Sequence, residues 1–231
     1  MTAALSNRLL ECLPTIDRLN LLAMGEQVSL SPTEILQQAH QPSLHVYFPT
    51  TAVVTLFSAV PNHVGLQTNL VGSEGMVGAH VVLGHERPCV SAVVQHGGWA
   101  WRFATKLLMQ QLSASPALKR TLDLYALAAI NQLTTLTICL HYHNIEQRLA
   151  RWLLDYQDRV GLDHFYITHE TLSKLLGVRR VGITNAANRF KQVRLIGYER
   201  GNLRVLDRAG LKKVTCCCYD IDQKSYTDLF G

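Results

Sequence analysis

Residues 167–190 constrain this chain most, because they carry the pattern of two short helices that meet at a glycine turn. Thr168 stands where the first helix needs a side-chain cap, and Gly177 stands just past its end, where a left-handed residue is favoured. The second helix has an apolar side (Ile183, Ala186, Ala187, Phe190 and Val193) opposite a side rich in Arg and Asn. This pattern is typical of a helix-turn-helix that reads the major groove of double-stranded DNA.

The outer side of the second helix predicts which residues contact DNA, because Arg pairs in a bidentate way with guanine and Asn with adenine. Base-edge contacts are expected from Arg180, Val181, Thr184, Asn185, Asn188 and Arg189, with Gly182 leaving room for close approach. Phosphate contacts are expected from His169, Lys174 and Arg179. Thr168 and Arg200 complete the predicted interface. The alternative is a basic face that is merely solvated.

A β-hairpin, or wing, is predicted directly after these helices. Its strands are Ile196–Tyr198 and Leu203–Leu206, and Gly201 lies in the turn between them. Asp207 caps a last predicted helix that runs from Arg208 to about Val214.

Charge is unevenly distributed along the chain. The net charge is +5, whereas residues 169–213 hold eleven Lys or Arg against three Asp or Glu, which is 11 − 3 = +8. The remainder therefore carries 5 − 8 = −3. A basic C-terminal part behind an acidic N-terminal part predicts a polyanionic partner for the C-terminal part alone.

The sequence pattern of the N-terminal half predicts a small β-barrel or sandwich. Two short helical patterns, 6–13 and 15–24, come first. Short β-branched or alternating runs then recur between about 27 and 102, separated by turn clusters such as Pro61-Asn62-His63. The clearest runs are 46–48, 53–57, 65–71, 90–94 and 99–103.

A long helix follows the predicted barrel. After a short helix at 105–112, Ser115 and Pro116 form a start signal, and the pattern runs to about His143. Apolar residues at spacings of four and three predict a dimer seam of Leu122, Ala126, Ala129, Leu133, Leu136 and Leu140. A helix buried within one protomer is the alternative. Asn144 and Gln147 signal a new helix from Ile145 to Val160.

We therefore predict an α+β chain with three parts: a β-barrel with N-terminal helices over 1–114, a dimerisation helix over 115–143, and a winged helix-turn-helix over 144–231. Met1-Thr2-Ala3-Ala4 lacks the cationic start of a signal peptide, and no uninterrupted apolar run reaches membrane-spanning length. A cytoplasmic location without membrane contact is expected.

The six cysteines show no disulfide framework and suit a reducing compartment. Cys216-Cys217-Cys218 has a metal-binding or redox interpretation, but adjacent residues are strained as joint ligands, and a tail after a helix is favoured. His141 and His143 point to different sides of their helix and are interpreted as polar residues of the dimer helix. No metal site, cofactor or catalytic residue is predicted, and an enzyme is disfavoured.

Nearly the whole chain resembles the bacterial Crp–Fnr family of transcription regulators, the family of the cyclic-AMP receptor protein. The resemblance is carried by residues 145–154, by the turn Leu176-Gly177-Val178-Arg179-Arg180, by 206–211, and in the barrel by 45–50 and 72–78. It implies a cyclic-nucleotide-binding-like barrel, a homodimer on the long helix, an inverted-repeat DNA site and contact with RNA polymerase.

The resemblance assigns base reading to Arg180, Val181, Thr184 and Asn185. Familiar members have Glu and Arg where this chain has Val181 and Asn185, so a different operator is expected.

Cyclic-AMP-binding members hold the ribose with a Gly-Glu pair and the phosphate with an Arg-Ser/Thr-Ala run. The candidate ligand residues here are Glu74, Gly75, Arg87 and Ser91. Pro88 replaces the small hydroxyl residue and removes a backbone donor. A scaffold barrel or a barrel with another small-molecule effector is therefore favoured. A cyclic-nucleotide-binding module whose basic end meets a different acidic partner is the alternative function.

Overall fold

The computed structural model describes residues 6–58 and 65–231. The stretch Met1-Thr2-Ala3-Ala4 and the predicted turn Pro61-Asn62-His63 lie outside the described residues. Two short helices open the structure, α1 (Arg8–Glu11) and α2 (Thr15–Leu22). Asn7 caps α1 by accepting a hydrogen bond from the backbone amide of Leu10, at 3.1 Å.

Two antiparallel sheets form the barrel, as the alternating runs predicted. One has the order β1–β7–β3 and the other β2–β6–β4–β5. The strands are β1 (Glu26–Leu30), β2 (Ile35–Gln37), β3 (His45–Pro49), β4 (Val53–Ser58), β5 (Leu66–Val71), β6 (Ser91–His96) and β7 (Gly98–Ala104). Their inward side chains, such as Val54, Val71 and Val94, form an apolar core between the sheets. The runs that predicted β3 to β7 are confirmed, and β1 and β2 were missed as separate strands.

Three helices complete this half: α3 (Ala79–Val82), α4 (Thr105–Ala114) and α5 (Pro116–Tyr142). The start of α5 is as predicted, because the Ser115 hydroxyl accepts a hydrogen bond from the Leu118 amide at 3.1 Å. Leu118, Leu122 and Tyr125 of α5 are buried in the core that the barrel shares with α1 and α2. The central helix is therefore packed along one side by its own protomer.

By length and composition α5 also qualifies as a membrane-spanning helix, with a mean hydropathy of 1.2 over an 18-residue window. A membrane-spanning helix was not predicted here from the sequence, because no uninterrupted apolar run is long enough. Only 28% of that window is buried. Because its inward side belongs to the core of the barrel half, we interpret α5 as a core helix with an uncovered side.

The C-terminal half begins with α6 (Ile145–Val160), α7 (His169–Leu176) and α8 (Arg180–Gln192). Asn144 and Gln147 form the predicted capping box of α6. The sheet β8–β10–β9 consists of β8 (His164–Tyr166), β9 (Ile196–Glu199) and β10 (Asn202–Val205). Helix α9 (Arg208–Val214) follows, capped by Asp207. This α+β arrangement of barrel, long helix and winged head is the one predicted.

A last helix, α10 (Cys218–Phe230), was not predicted. It returns along α5, where the Asn131 side-chain amide donates to the Ser225 hydroxyl at 3.0 Å. The Tyr226 hydroxyl then donates to the backbone carbonyl of Glu74 in the barrel, at 2.5 Å. Helix α10 thus crosses the predicted limit at 143/144, and the division into three domains remains a prediction.

Two buried polar contacts join the barrel to the head through α6. The Trp152 indole N–H donates to Gln67 Oε1 at 2.8 Å. Arg159 Nε donates to Glu74 Oε1, also at 2.8 Å, and both side chains are more than four-fifths buried. Because charges withdrawn from water need partners, this ion pair specifies how the two halves fit together.

Replacing Glu74 by Gln is expected to destabilise the protein, because it leaves the Arg159 guanidinium buried without this carboxylate. Asp155 stays 3.9 Å from Arg159, so we expect a loss of about 2–4 kcal/mol in the free energy of unfolding, measured by urea denaturation.

Glu26→Gln is the matched control, because Glu26 pairs with Arg102 at the exposed surface. Its expected cost is less than about 1 kcal/mol. Equal costs for the two variants would contradict the interpretation of Glu74–Arg159 as a structural link.

Candidate nucleic-acid interface

Helices α7 and α8 meet at the predicted glycine turn. The Thr168 hydroxyl accepts a hydrogen bond from the Thr171 amide at 3.0 Å and so caps α7. Gly177 ends the helix with a φ of 62°, a left-handed conformation that glycine adopts without strain. The backbone is thereby turned so that α8 starts at Arg180 on the surface of the head.

Helix α8 is two-sided. The predicted inward residues Ile183, Ala186, Ala187 and Phe190 are all buried against α6 and the wing sheet. Val193 was wrongly included, because it lies just past the helix end and is exposed. The exposed residues of the outward side are Arg180, Val181, Asn185, Asn188 and Arg189. Their guanidinium and amide groups are free of the core and available to base edges.

Gly182 was interpreted wrongly as making room for DNA. A Cβ added at this position would lie 2.7 Å from Ile145 Cδ1 of α6. The glycine therefore faces the protein, where it allows the start of α8 to approach the start of α6.

His169 and Thr184 face each other inside the head. His169 Nδ1 lies 3.1 Å from Thr184 Oγ1, and the Thr184 hydroxyl also lies 3.1 Å from the backbone carbonyl of Arg180. The His169 ring stacks on Tyr198 of the wing, with ring centroids 4.4 Å apart. Both side chains thus hold α7, α8 and the wing together, which is not the direct DNA contact predicted for them.

The remaining predicted cations lie at the surface. Lys174 pairs with Glu170 within α7 at 2.8 Å, and Arg189 pairs with Glu146 of α6 at 3.0 Å. Exposed ion pairs of this kind contribute little to stability, so a DNA phosphate can replace the carboxylate as the partner of the cation. Arg179 is exposed at the start of α8.

The wing ends in a two-residue turn. Arg200 and Gly201 both have positive φ, 48° and 88°, as a type I′ hairpin turn requires. Arg200 is therefore presented at the exposed tip of the hairpin. Three exposed cations near α8 and the wing were not predicted as contacts, namely Lys191, Arg194 and Arg204. The sequence indicated these cations only through the excess of Lys and Arg in residues 169–213.

Residues 147–214, which include α7, α8 and the wing, match the family described as the Crp-like helix-turn-helix domain. This part of the chain is therefore a Crp-like helix-turn-helix domain. That domain agrees with the sequence-based prediction of a DNA-binding transcription regulator.

Solved structures of transcription regulators share the fold over about four-fifths of the chain. FixK2 from Bradyrhizobium japonicum has a TM-score of 0.71 at 13% identity, over 83% of this chain and 98% of its own. The c-di-GMP-responsive global regulator CLP from Xanthomonas campestris gives 0.69 at 13% identity, over 83% and 99%. A Crp/Fnr-family regulator from Thermus thermophilus gives 0.63 at 17% identity, over 82% and 97%. At these identities the likeness concerns the fold alone, and no curated protein matches the chain in sequence.

The predicted ligand residues of the barrel all make contacts within the protein. Glu74 was assigned to the ligand, but its carboxylate is held by Arg159 of α6. Gly75 packs against the Tyr125 ring. Arg87 and Ser91 both bond to the loop after β2, with Arg87 donating to the His40 carbonyl at 3.3 Å and Ser91 accepting from the Ala39 amide at 3.1 Å. The Glu74 carboxylate is thus engaged by a cation from the other half of the protein, and its assignment to a ligand stays a prediction.

The residues of the predicted dimer seam on α5 differ in their exposure. Leu122 and Ala126 are buried within the protomer, so they cannot face a partner. Ala129, Leu136 and Leu140 are partly buried, and Leu133 is exposed. Besides Tyr142 at its end, α5 exposes four large apolar side chains, Leu127, Ile130, Leu133 and Ile138, which we call the α5 stripe. The α5 stripe shares Leu133 with the predicted seam, and the seam stays a prediction.

His169 is expected to make the head sensitive to acid. Burial, then the charges of Arg180 and Lys191, lower the pKa of His169. Its Nε2 is buried and lacks a hydrogen-bond partner within the described residues, so a proton there would be unsatisfied. Because the pKa in the folded protein is below the unfolded value of about 6.5, the stability that neutral His169 provides is present above that pH. It is lost as the pH falls below about 6.5 toward the pKa of the folded state.

We therefore expect the His169 imidazole to titrate below about pH 6.5 in an NMR titration. We also expect His169→Gln to lose less stability than the unmodified protein between about pH 7.5 and pH 5.5. His164→Gln, at an exposed position of β8, is the control and should leave that loss unchanged. Titration of His169 at or above the ordinary histidine value would refute this account.

Proposed function

We propose that this Crp/Fnr protein is a homodimeric, sequence-specific regulator that binds an inverted repeat in double-stranded DNA. The observation that carries the proposal is the outward side of α8, where Arg180, Asn185 and Asn188 stand exposed beside the wing. Arg and Asn are the side chains best suited to bidentate contacts with guanine and adenine. A basic face that only met phosphates would have no need of two amides.

Base reading is assigned to Arg180, Val181, Asn185 and Asn188. The exposed Val181 side chain is suited to an apolar contact with a thymine methyl group. Lys174, Arg179 and Arg200 supply phosphate contacts around this centre, which set the position of the head without reading sequence. Thr168, His169 and Thr184 act indirectly, through the caps and stacking that orient α8.

Dimerisation is supported by the α5 stripe. Four large apolar side chains, Leu127, Ile130, Leu133 and Ile138, lie exposed along one side of a 27-residue helix whose other side is packed. A second α5 placed against the stripe would bury them in a coiled-coil contact. Two-fold symmetry would then present two recognition helices to half-sites about 34 Å apart.

The setting of the proposed regulator follows from the family. Crp/Fnr regulators act on DNA in the cytoplasm, and contact with RNA polymerase is part of the proposal. A small-molecule effector could act only by binding the DNA-competent arrangement with a different affinity from the incompetent one. The barrel-to-head contact at Glu74 and Arg159 is where two such arrangements would differ.

The base-reading assignment is tested by comparing Arg180→Ala with Lys174→Ala on a selected operator and on random DNA. We expect Arg180→Ala to weaken operator binding by about 5–150-fold, because one bidentate contact is worth about 1–3 kcal/mol, and to change random binding little. Lys174→Ala should weaken both DNAs alike and lower the salt slope by about one. Equal losses on both DNAs from both variants would show that α8 does not read bases.

The dimer is tested by placing a charge in the α5 stripe. Ile130→Glu should shift the protein toward monomer, because a carboxylate facing its symmetry mate would be desolvated and repelled. Leu83→Glu is the matched control, since Leu83 is an exposed apolar residue of the barrel half, just past α3. Sedimentation over a range of concentrations distinguishes the two variants. A dimer of unchanged strength in Ile130→Glu would remove the stripe from the interface.

A further inference from the structure

Three thiols and one imidazole converge where the central helix meets the C-terminal helix. Cys139 lies in the last turn of α5, and His143 is its C-cap residue. Cys216 and Cys218 lie at the start of α10. One ligand atom from each of the four residues can be chosen so that all lie within 4.8 Å of one another. Cys139 and Cys216, which are 77 positions apart in the sequence, are thus brought together.

Two distances within this Cys3His cluster match the edges of a metal-centred tetrahedron. Cys139 Sγ lies 3.6 Å from Cys216 Sγ, and Cys218 Sγ lies 3.5 Å from His143 Nδ1. Zinc holds sulfur at about 2.3 Å and nitrogen at about 2.0–2.1 Å, so neighbouring ligands of tetrahedral zinc lie about 3.5–3.8 Å apart. An iron–sulfur cluster would need wider spacing, because its own atoms stand between the ligands.

Local geometry explains how the chain presents four ligands. Cys139 and His143 are four residues apart and therefore lie on the same side of the chain at the end of α5. Cys216 and Cys218 are buried whereas Cys217 between them is exposed, so alternate residues point toward the cluster. The sequence-based objection to adjacent ligands does not apply, because Cys217 is not one of them. His143, which was interpreted from the sequence as a polar residue of the dimer helix, faces Cys218.

The surroundings suit a cluster with net negative charge. Three thiolates, a neutral imidazole and one Zn²⁺ sum to −1. Arg148 and Arg151 of α6 are both close enough to Cys139 to interact with it electrostatically, and Arg151 also pairs with Asp155 and Asp222. His143 is only partly buried, which leaves a path for the ion from solvent. A cluster of thiols that acted only as small apolar groups would have no need of an imidazole among them.

We propose that Cys139, His143, Cys216 and Cys218 bind one Zn²⁺ in a closed structural site. Thiolate and imidazole ligands favour zinc over the oxygen-seeking ions Mg²⁺ and Ca²⁺. Binding releases the three thiol protons to solvent and changes no oxidation state. The ion ties the start of α10 to the end of α5, beside the junction at Asn144 where the head begins.

Metal analysis of the full-length protein, purified under anaerobic reducing conditions and loaded with Zn²⁺ before dialysis, tests the proposal. We expect one tightly held zinc per chain and a lower melting temperature after removal with a chelator. Cys216→Ser and His143→Gln should lose the zinc and the chelator effect together. Cys217→Ser is the matched control, because it alters the exposed neighbour of two ligands, and it should retain both.

Cobalt titration of the unmodified protein covers the case in which the ligand variants fail to fold. Intense visible bands of tetrahedral, thiolate-bound Co²⁺ that zinc abolishes would support the site. Their absence, or a dialysed protein without zinc, would overturn it. A Cys139–Cys216 disulfide found after anaerobic thiol alkylation would also overturn it, in favour of a redox bond. None of these measurements depends on DNA, so the result is independent of the proposed function.

Discussion

The buried ion pair between Arg159 and Glu74 is the contact on which the arrangement of the two halves depends. A guanidinium removed from water is costly unless a carboxylate and further acceptors surround it. Glu74 supplies the carboxylate from the barrel, and the Leu70 carbonyl accepts from the same Arg159 Nε at 3.1 Å. Helix α6, which carries Arg159, also packs against α8 in the core of the head.

Polar groups inside the head hold the recognition helix so that its outer side can stay free. His169 bridges α7, α8 and the wing by a hydrogen bond and a ring stack, while Gly182 allows α8 to approach α6 at Ile145. These groups make contacts within the protein that set the position of α8.

Helix α5 combines three environments along one element. Its inward side is part of the barrel-half core, its α5 stripe is uncovered, and its last turn meets α10 at the Cys3His cluster. The proposed partner helix would therefore pack along the length of α5, and the proposed zinc ion would bind at its C-terminal end. The proposed zinc ion lies close to Asn144, where the chain enters the head.

The sequence alone determined the elements whose signals are local: Ser115-Pro116 at the start of α5, the Asn144–Gln147 capping box, and Thr168 with Gly177 around α7. Those signals also carried the helix-turn-helix, the wing and the family. Only the tertiary structure decided the partners of Glu74, the side of α5 left uncovered, the direction of Gly182 and the meeting of Cys139 with Cys216. The reason is physical: a cap or turn is satisfied within a few residues, whereas contacts spanning 85 or 77 positions depend on helix rotation and chain return, which no local pattern encodes.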